Sequence, residues 1–313
     1  MAIKITLAKK PEEFDALFEL RYQLLSKSVD KAQSTEELLQ LTNCYINDEG
    51  RSLNRFDGYP TTSHLIVKDG NKVVGGLRLC IDSKVGVPAD LVYSFRDKLP
   101  ESSQLVSCDM YCVSKNYHNP RIAQGLILMA SYIAISQKAS QIIAPINPAI
   151  AQLMKKIGCR IVDKEMQDPA TGLDFVPVIL DMTGIEDFFI RFVNANKLHD
   201  FLGAFECVFY EEGDYIIRAG EKGDCVYVMV DGEANVMHAK KFRLVNTLRA
   251  GNVFGEIALL TDEGIRTANV VTTKPVRVMR LDKETFMEYL VKNPEKAMEF
   301  MTKINQPTKA VAN

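Results

Sequence analysis

The stretch Phe254-Gly255-Glu256-Ile257-Ala258-Leu259-Leu260, followed by Arg266 and Thr267, carries residue types suited to holding a phosphodiester on a ribose. That task takes backbone amides at a helix start, one cation able to make paired hydrogen bonds, and an acceptor for a ribose hydroxyl. Gly255 permits close backbone approach, Glu256 can accept from a 2′-hydroxyl, and the amides of Ile257 and Ala258 open a short helix. Arg266, on what reads as a returning strand, can pair with an equatorial phosphate oxygen. The competing reading is a module that binds nothing, in which Glu256 and Arg266 form a solvated ion pair.

A second group of candidates lies in the first half of the chain. The run from Asn116 through Pro120, Arg121, Gln124 and Gly125 falls at a strand-to-helix turn. Free amides and the helix dipole favour an anion at such a turn, with Arg121 and Gly125 as its best donors. Arg21 falls within the apolar stripe of a helix, where the plain alternative is a long side chain covering apolar surface. Asp109 shares a strand with Ser107, and its plain alternative is an exposed edge-strand carboxylate. His64 and His118 read as structural or solvent-facing.

The elements that must position these residues follow from hydrophobic periodicity. Pro11 to Val29 reads as a helix with Phe14, Leu17, Phe18, Leu24 and Leu25 on one side. A helix-prone stretch follows near Ser34 to Leu41, then two strands, His64 to Lys68 and Lys72 to Ile81, joined by the hairpin signal Asp69-Gly70-Asn71. A strand over Gln104 to Val113 leads into a helix near Arg121. After it come a strand at Ser140 to Ala144, a helix over Pro148 to Ile157 stopped by Gly158, and a strand at Phe175 to Asp181. Beyond Thr183-Gly184 the pattern changes. A helix over Phe188 to Phe201 precedes short strands separated by Gly-Asp and Asp-Gly turns, the spacing of an antiparallel barrel. Two helices close the chain, one capped by Asp282 and one opened by Pro294.

Length and composition are consistent with that division. At 313 residues the chain predicts two domains, 1–183 and 184–313, each able to bury a core. A formal net charge of −2 with no basic tail argues against a nucleic-acid or anionic-membrane footprint. The longest largely apolar run, Gly125 to Ile135, is too short to span a bilayer. Seven scattered cysteines without Cys-x-x-Cys spacing suit reduced, buried thiols, so we expect a cytoplasmic protein and no metal site. Cys108 and Cys112 lie on one face if their segment is a regular strand.

The region from Gly213-Asp-Tyr-Ile-Ile through Gly220-Glu-Lys-Gly-Asp-Cys-Val-Tyr-Val-Met-Val-Asp-Gly to the closing helices resembles the cyclic-nucleotide-binding domain family. The resemblance implies that Gly255, Glu256, Ile257, Ala258, Arg266 and Thr267 contact cAMP or cGMP, and that the helix around Phe286 to Leu290 lids the base. Thr267 follows the arginine as in family members that bind cGMP well. The segment between Glu256 and Arg266 is one residue longer than the common pattern.

The N-terminal order of elements resembles the GNAT superfamily of acyltransferases. The strings Glu19-Leu-Arg21-Tyr, Asn54-Arg-Phe-Asp57, His64-Leu-Ile-Val and Val73-Val-Gly-Gly-Leu-Arg78-Leu resemble acyl-homoserine-lactone and long-chain N-acyl amino acid synthases. Pro145-Ile-Asn-Pro148 and Leu153 to Arg160 look like the acceptor-side helix of those enzymes. The resemblance implies an acyl-CoA or acyl-carrier-protein thioester as donor and a small amine or amino acid as acceptor. It places Asp109, Arg21, Asp57 and Arg78 at the chemistry and Arg121, Gln124 and Gly125 on the donor. Asp109 is the candidate to handle the amine proton. The loop departs from the usual Arg/Gln-x-x-Gly-x-Gly/Ala signature, with Gln124-Gly125 displaced by one and followed by Leu126.

The expectation is an α+β protein, a GNAT-like mixed sheet flanked by helices followed by an antiparallel jelly-roll barrel with closing helices. Its expected function is N-acyl transfer regulated by a cyclic nucleotide. The alternative is a nucleotide-responsive binding or regulatory protein with an inactive GNAT-like domain.

Overall fold

The computed structural model describes residues 2–28, 45–47, 49–168, 173–182, 185, 187–241 and 243–305. The chain divides into two compact units, residues 5–185 and residues 186–313 with residues 1–4. No helix among the described residues is long and apolar enough to cross a membrane.

In the first unit, strands β1 (Ile3–Leu7, from Ile5 onward), β2 (Tyr45–Ile46), β3 (Ser52–Leu53), β4 (Thr62–Asp69), β5 (Lys72–Ile81) and β6 (Leu105–Val113) are followed by β7 (Gln141–Ile146), β8 (Arg160–Ile161), β9 (Met166–Gln167) and β10 (Asp174–Asp181). Helices α1 (Pro11–Ser28), α2 (Pro120–Ser136) and α3 (Ala151–Lys156) lie between them. The main sheet runs β1-β4-β5-β6-β7-β10-β8, with β2 and β3 paired separately. The expected α1 and the β4–β5 hairpin form, and Gly70 takes φ +59° in the turn. The α1 face that buries Leu17 and Leu20 meets Ile66, Val73 and Cys112. Gly76 makes that close approach possible, because a Cβ there would lie 2.5 Å from Leu17 and 2.8 Å from the Leu65 carbonyl oxygen.

Strand β1 and the 3-10 turns Pro88–Leu91 and Phe95–Lys98 had no sequence reading; the turns bury Pro88, Ala89 and Phe95. The helix expected over Pro148 to Ile157 is a 3-10 turn, Pro148–Ile150, running into α3, and Gly158 ends it at φ +95°. The stretch Ser34 to Leu41 and the boundary Thr183-Gly184 lie outside the described residues.

Strands β6 and β7 are parallel neighbours only over Leu105–Ser107 and Gln141–Ile143. Beyond Ser107 no pairing continues, so the sheet opens between them. Strand β6 also carries a bulge: its register to β5 shifts between Arg78–Asp109 and Gly76–Cys112, and Met110 sits at φ +51°. An extra residue in one strand re-aims the side chains beyond it. Cys108 and Cys112 therefore point to different sides, Cys108 into a cavity and Cys112 toward α1, contrary to the single face expected of a regular strand.

The second unit contains α4 (Phe188–Ala195), β11 (Glu206–Tyr210), β12 (Tyr215–Ile217), β13 (Cys225–Asp231), β14 (Ala234–His238), β15 (Leu244–Leu248), β16 (Val253–Phe254), α5 (Ile257–Leu260), β17 (Ala268–Thr272), β18 (Val276–Asp282), α6 (Lys283–Lys292) and α7 (Pro294–Asn305). The jelly roll is built from two antiparallel layers, β16-β13-β18-β11 and β12-β17-β14-β15. Their inner faces share one core of Val208, Ile217, Tyr227, Met229, Ala234, Val270 and Val278. The first helix is shorter than expected. It stops at Ala195, Lys197 turns left-handed at φ +56°, and a 3-10 segment, His199–Ala204, follows.

Candidate functional sites

The N-terminal candidates converge. Asn54 and Asp57 bracket the 3-10 turn Arg55–Gly58, where the Asn54 side chain accepts from the Phe56 amide and Asp57 Oδ2 accepts from the Asn54 amide at 2.7 Å. This fixes Asp57 Oδ1 toward the sheet. It accepts from Arg21 Nη1 of α1 at 2.8 Å, lies 2.9 Å from His64 Nε2 of β4, and lies 3.1 Å from Arg78 Nη1 of β5. Arg78 Nε and Nη2 donate to the two oxygens of Asp109 on β6, at 2.7 and 2.9 Å. Arg78 is fully buried, and the side chains of Arg21 and Asp57 are each 3% exposed. Arg21 is therefore an ion-paired interior residue, and Asp109 lies on an interior strand instead of an edge.

Burial alone would raise the Asp57 pKa. The His64 hydrogen bond and the Arg21 and Arg78 cations more than reverse it, holding the carboxyl well below the usual carboxylate range. Burial lowers the His64 pKa, and the two arginines lower it further against Asp57. His64 is thus neutral near pH 7 and donates from Nε2, its ring flanked edge-on by Phe14 and Phe18. Arg78 is held charged by Asp109 and Asp57 against the penalty of burial.

Asp109 also reaches the opening between β6 and β7. A cavity of about 300 Å³ lies there, lined by Leu77, Cys108, Asp109, Met110 and Tyr111, by Ala123, Ile127 and Ala130 of α2, and by residues of β7, α3 and β10. Asp109 is the ionisable carboxylate on these mostly apolar walls. Burial, reinforced by Asp109, pushes the Cys108 thiol far above its ordinary value, and burial holds Cys159 at about 11. A thiol is a nucleophile as the thiolate, so neither is activated.

The donor loop differs from expectation. Asn119 caps α2: its side chain accepts from the Arg121 amide at 2.8 Å, and its carbonyl accepts from the Ile122 and Ala123 amides. Pro120 has no N–H, so the helix start offers no free amide over these four residues. Gln124 is exposed, Gly125 is buried in the helix, and neither they nor Arg121 line the cavity. The expected anion cradle of Arg121, Gln124 and Gly125 is not formed.

In the second unit the residues expected to form the cradle lie together. Gly255, at φ +88°, leads to Glu256, which precedes α5, and a Cβ on Gly255 would come within 2.7 Å of Arg266 Nη1. Arg266 is 6% exposed. Its Nη1 donates to the Gly255 carbonyl at 2.6 Å and its Nη2 to the Cys225 carbonyl at 2.8 Å, a buried arrangement unlike a solvated Glu–Arg pair. The segment before it closes in a turn, the Gly264 amide donating to the Thr261 carbonyl at 3.2 Å. The Arg266 backbone is pinned on both sides, N–H to the Glu221 carbonyl and C=O from the Gly220 amide, each at 2.9 Å. A cavity of about 220 Å³ gathers Gly255, Glu256, Ile257, Ala258, Arg266 and Thr267 against Val236, Val245 and Asn246. Phe286, Tyr289 and Leu290, expected as a lid, do not line it. Tyr289 packs edge-on against Phe201 and donates to the Asn196 carbonyl, and Phe286 packs on Phe300.

Comparison with known proteins agrees with both halves. Residues 207–293 match the profile of the cyclic nucleotide-binding domain, and residues 31–181 match that of the N-acyl amino acid synthase FeeM. Human cyclic nucleotide-gated channel beta-3 is 38% identical over 113 residues, 35% of this chain and 14% of the channel. The cGMP-dependent protein kinase egl-4 of Caenorhabditis briggsae is 41% identical over 87 residues, 26% of this chain and 12% of the kinase. The chain thus spans about one seventh or less of the length of these curated relatives. Among solved structures, FeeM from uncultured soil microbes covers 59% of this chain and 93% of its own at 14% identity and a TM-score of 0.45. The Thermus thermophilus catabolite activator protein covers 36% and 52%, at 24% identity and a TM-score of 0.31. The chain thus carries one segment, residues 31–181, similar to the N-acyl amino acid synthase FeeM, followed by another, residues 207–293, similar to the cyclic nucleotide-binding domain.

Proposed function

We propose that this protein is an N-acyltransferase whose activity is set by a cyclic nucleotide. The observation that carries the reading is the apolar cavity between the diverging β6 and β7, with Asp109 on its wall and Arg78 fixing that carboxylate from behind. The acyl tail of a CoA or carrier-protein thioester occupies the cavity, which lies at the lower end of the roughly 300–1,000 Å³ usual for ligand pockets. The acceptor amine attacks the thioester carbonyl, Asp109 takes the proton the amine loses and passes it to the departing sulfur, and the C–S bond breaks to leave the amide and the donor thiol. The raised Cys108 pKa favours this direct transfer over a covalent acyl-enzyme. Arg78 and Asp57 act as positioning residues.

Relatives named for cyclic nucleotides support cAMP or cGMP as the regulator, and Thr267 beside Arg266 favours cGMP. Glu256 takes the ribose hydroxyl, and the Gly255–Ala258 backbone with Arg266 takes the phosphate. The six free thiols among the described residues fit a reducing cytoplasm.

One observation favours a second reading, a nucleotide-responsive binding protein with an inactive acyltransferase fold: the amides at the start of α2 are already bonded. A transfer assay separates the two. Purified protein is incubated with a series of acyl-CoA and acyl-carrier-protein thioesters and an amino-acid panel, with and without cAMP or cGMP. Amide product whose rate responds to nucleotide is the expected result. No product from either carrier would establish the binding reading.

A further inference from the structure

Strand β1 divides between the two units: Ile3 and Lys4 belong with the second, Ile5 to Leu7 with the first. Each end is tied to a network of charges. In the second unit a row of alternating charge starts at the nucleotide cavity, where Arg266 Nη2 lies 3.7 Å from Asp224 Oδ1. Asp224 Oδ2 accepts from Arg280 Nη2 at 2.8 Å, and Arg280 Nη1 donates to Glu206 Oε2 at 2.7 Å. Glu206 Oε1 in turn accepts from Lys4 Nζ at 3.1 Å. In the first unit Ala8, the residue after β1, donates its amide to the His64 carbonyl at 2.8 Å. The His64 ring meets Asp57, which leads through Arg78 to Asp109.

We propose that β1 carries the nucleotide signal: a phosphate held by Arg266 strengthens the grip of Glu206 on Lys4 and so reseats the strand that runs to the His64–Asp57–Arg78–Asp109 network. The proposal rests on the reading of a nucleotide-regulated enzyme and names the residues through which that regulation acts.

Electrostatics sets the direction. Three cations and two carboxylates share the row, so Asp224 and Glu206 each stand between two cations. Arg266 donates to neutral carbonyls, those of Gly255 and Cys225. An anionic phosphate is the stronger acceptor, because a hydrogen bond between charged groups is roughly twice as strong as a neutral one. Once Arg266 pairs with phosphate, Asp224 loses its share of that cation and Arg280 becomes its principal counter-ion. Arg280 shifts toward Asp224, and Glu206 is left to Lys4. Strengthening and weakening thus alternate along the row. The joint between Arg280 and Glu206 is sheltered, their side chains being 21% and 17% exposed, so salt screens it less than a surface pair. Burial alone would raise the Glu206 pKa, and Lys4 and Arg280 outweigh it.

The test follows β1 directly and needs no turnover. Hydrogen exchange of the full chain is measured on the peptide spanning β1, without nucleotide and with saturating cGMP or cAMP, whose binding is established by calorimetry. We expect nucleotide to slow exchange in β1 at least about fivefold, the low end of usual coupling. In Arg280→Met, which interrupts the row, and in Lys4→Met, which removes its last member, the slowing disappears while nucleotide still binds. If Arg280→Met melts early, the partly exposed Lys4 carries the comparison. An unchanged β1 in nucleotide-bound wild type, or slowing retained in Lys4→Met, overturns the proposal. No heat with either nucleotide would overturn the nucleotide reading together with it. Slowing that depends on Lys4 in a protein that transfers no acyl group from any thioester would support the route through β1 and overturn the enzyme reading alone.

Discussion

In the proposed reaction Asp109 bears two demands that pull in different directions. As the partner of a fully buried arginine it must stay in register with Arg78, whose loss of a partner would leave a charge stranded in the interior. Asp109 also stands on the cavity wall, and in the proposed reaction it must present oxygen lone pairs to an amine. A carboxylate has capacity for both, since each oxygen can accept more than one hydrogen bond. Asp109→Asn keeps the shape but removes the charge that receives the proton. It is expected to lower kcat by about 10²- to 10⁴-fold, the usual share of a general base, with a much smaller change in the KM for thioester. Steady-state kinetics on a variant shown by its circular dichroism to be folded checks this, and an unchanged kcat would remove Asp109 from the chemistry. At this scale the sequence was partly legible. Arg21, Asp57, Arg78 and Asp109 could be picked out individually, yet nothing in their spacing gave their pairing, because three of the contacts join residues more than 20 positions apart. Met110 carries no mark of its left-handed backbone, so the bulge that turns Cys108 away from Cys112 was invisible.

The elements that carry these residues were more legible, because apolar periodicity and turn residues are local signals. Helix α1 and the Gly70 hairpin form where those signals lie, whereas the splitting of β6 from β7 is set by three-dimensional packing and leaves no local trace. The docking of α1 on the sheet has an electrostatic clamp near its start. Glu13 accepts from Lys68 Nζ on β4 at 2.6 Å and from the Lys9 and Lys10 amides. Partial burial raises the Glu13 pKa, but the lysine and the two amides outweigh it and hold the group at about 2 against an ordinary 4.5. The folded pKa is the lower one, so the stabilisation is fully present above pH 4.5 and is lost as pH falls toward 2. Glu13→Gln should therefore cost roughly 1–3 kcal/mol of stability at pH 7, within the ceiling of about 1.4 kcal/mol per pKa unit. Urea unfolding of wild type and variant at several pH values should show the gap closing between pH 4.5 and pH 2. A gap that is independent of pH would mean that the carboxylate is not the source of the clamp.

At the scale of the whole molecule, the question is whether occupancy of the Arg266 cavity changes what the β6–β7 cavity does. Two domains in one chain do not by themselves make a switch: a nucleotide shifts an equilibrium only by its difference in affinity for two states. Linkage supplies a strict criterion. If nucleotide changes the affinity for an acyl thioester by some factor, the thioester changes nucleotide affinity by the same factor, commonly about 5- to 150-fold in coupled proteins. We expect the Kd for cGMP, measured by calorimetry, to change in the presence of a non-reactive thioether analogue of acyl-CoA, and the Kd for the analogue to change by the same factor when cGMP is saturating. Arg266→Gln should weaken cGMP at least about tenfold, because it removes a charge-assisted contact to phosphate. It should also move the nucleotide dependence of acyl transfer to correspondingly higher concentration, leaving the rate without nucleotide unchanged, since Arg266 lies in the other unit from Asp109. Two affinities that prove independent, each cavity filling as though the other were absent, would mean that the nucleotide domain serves something other than control of acyl transfer.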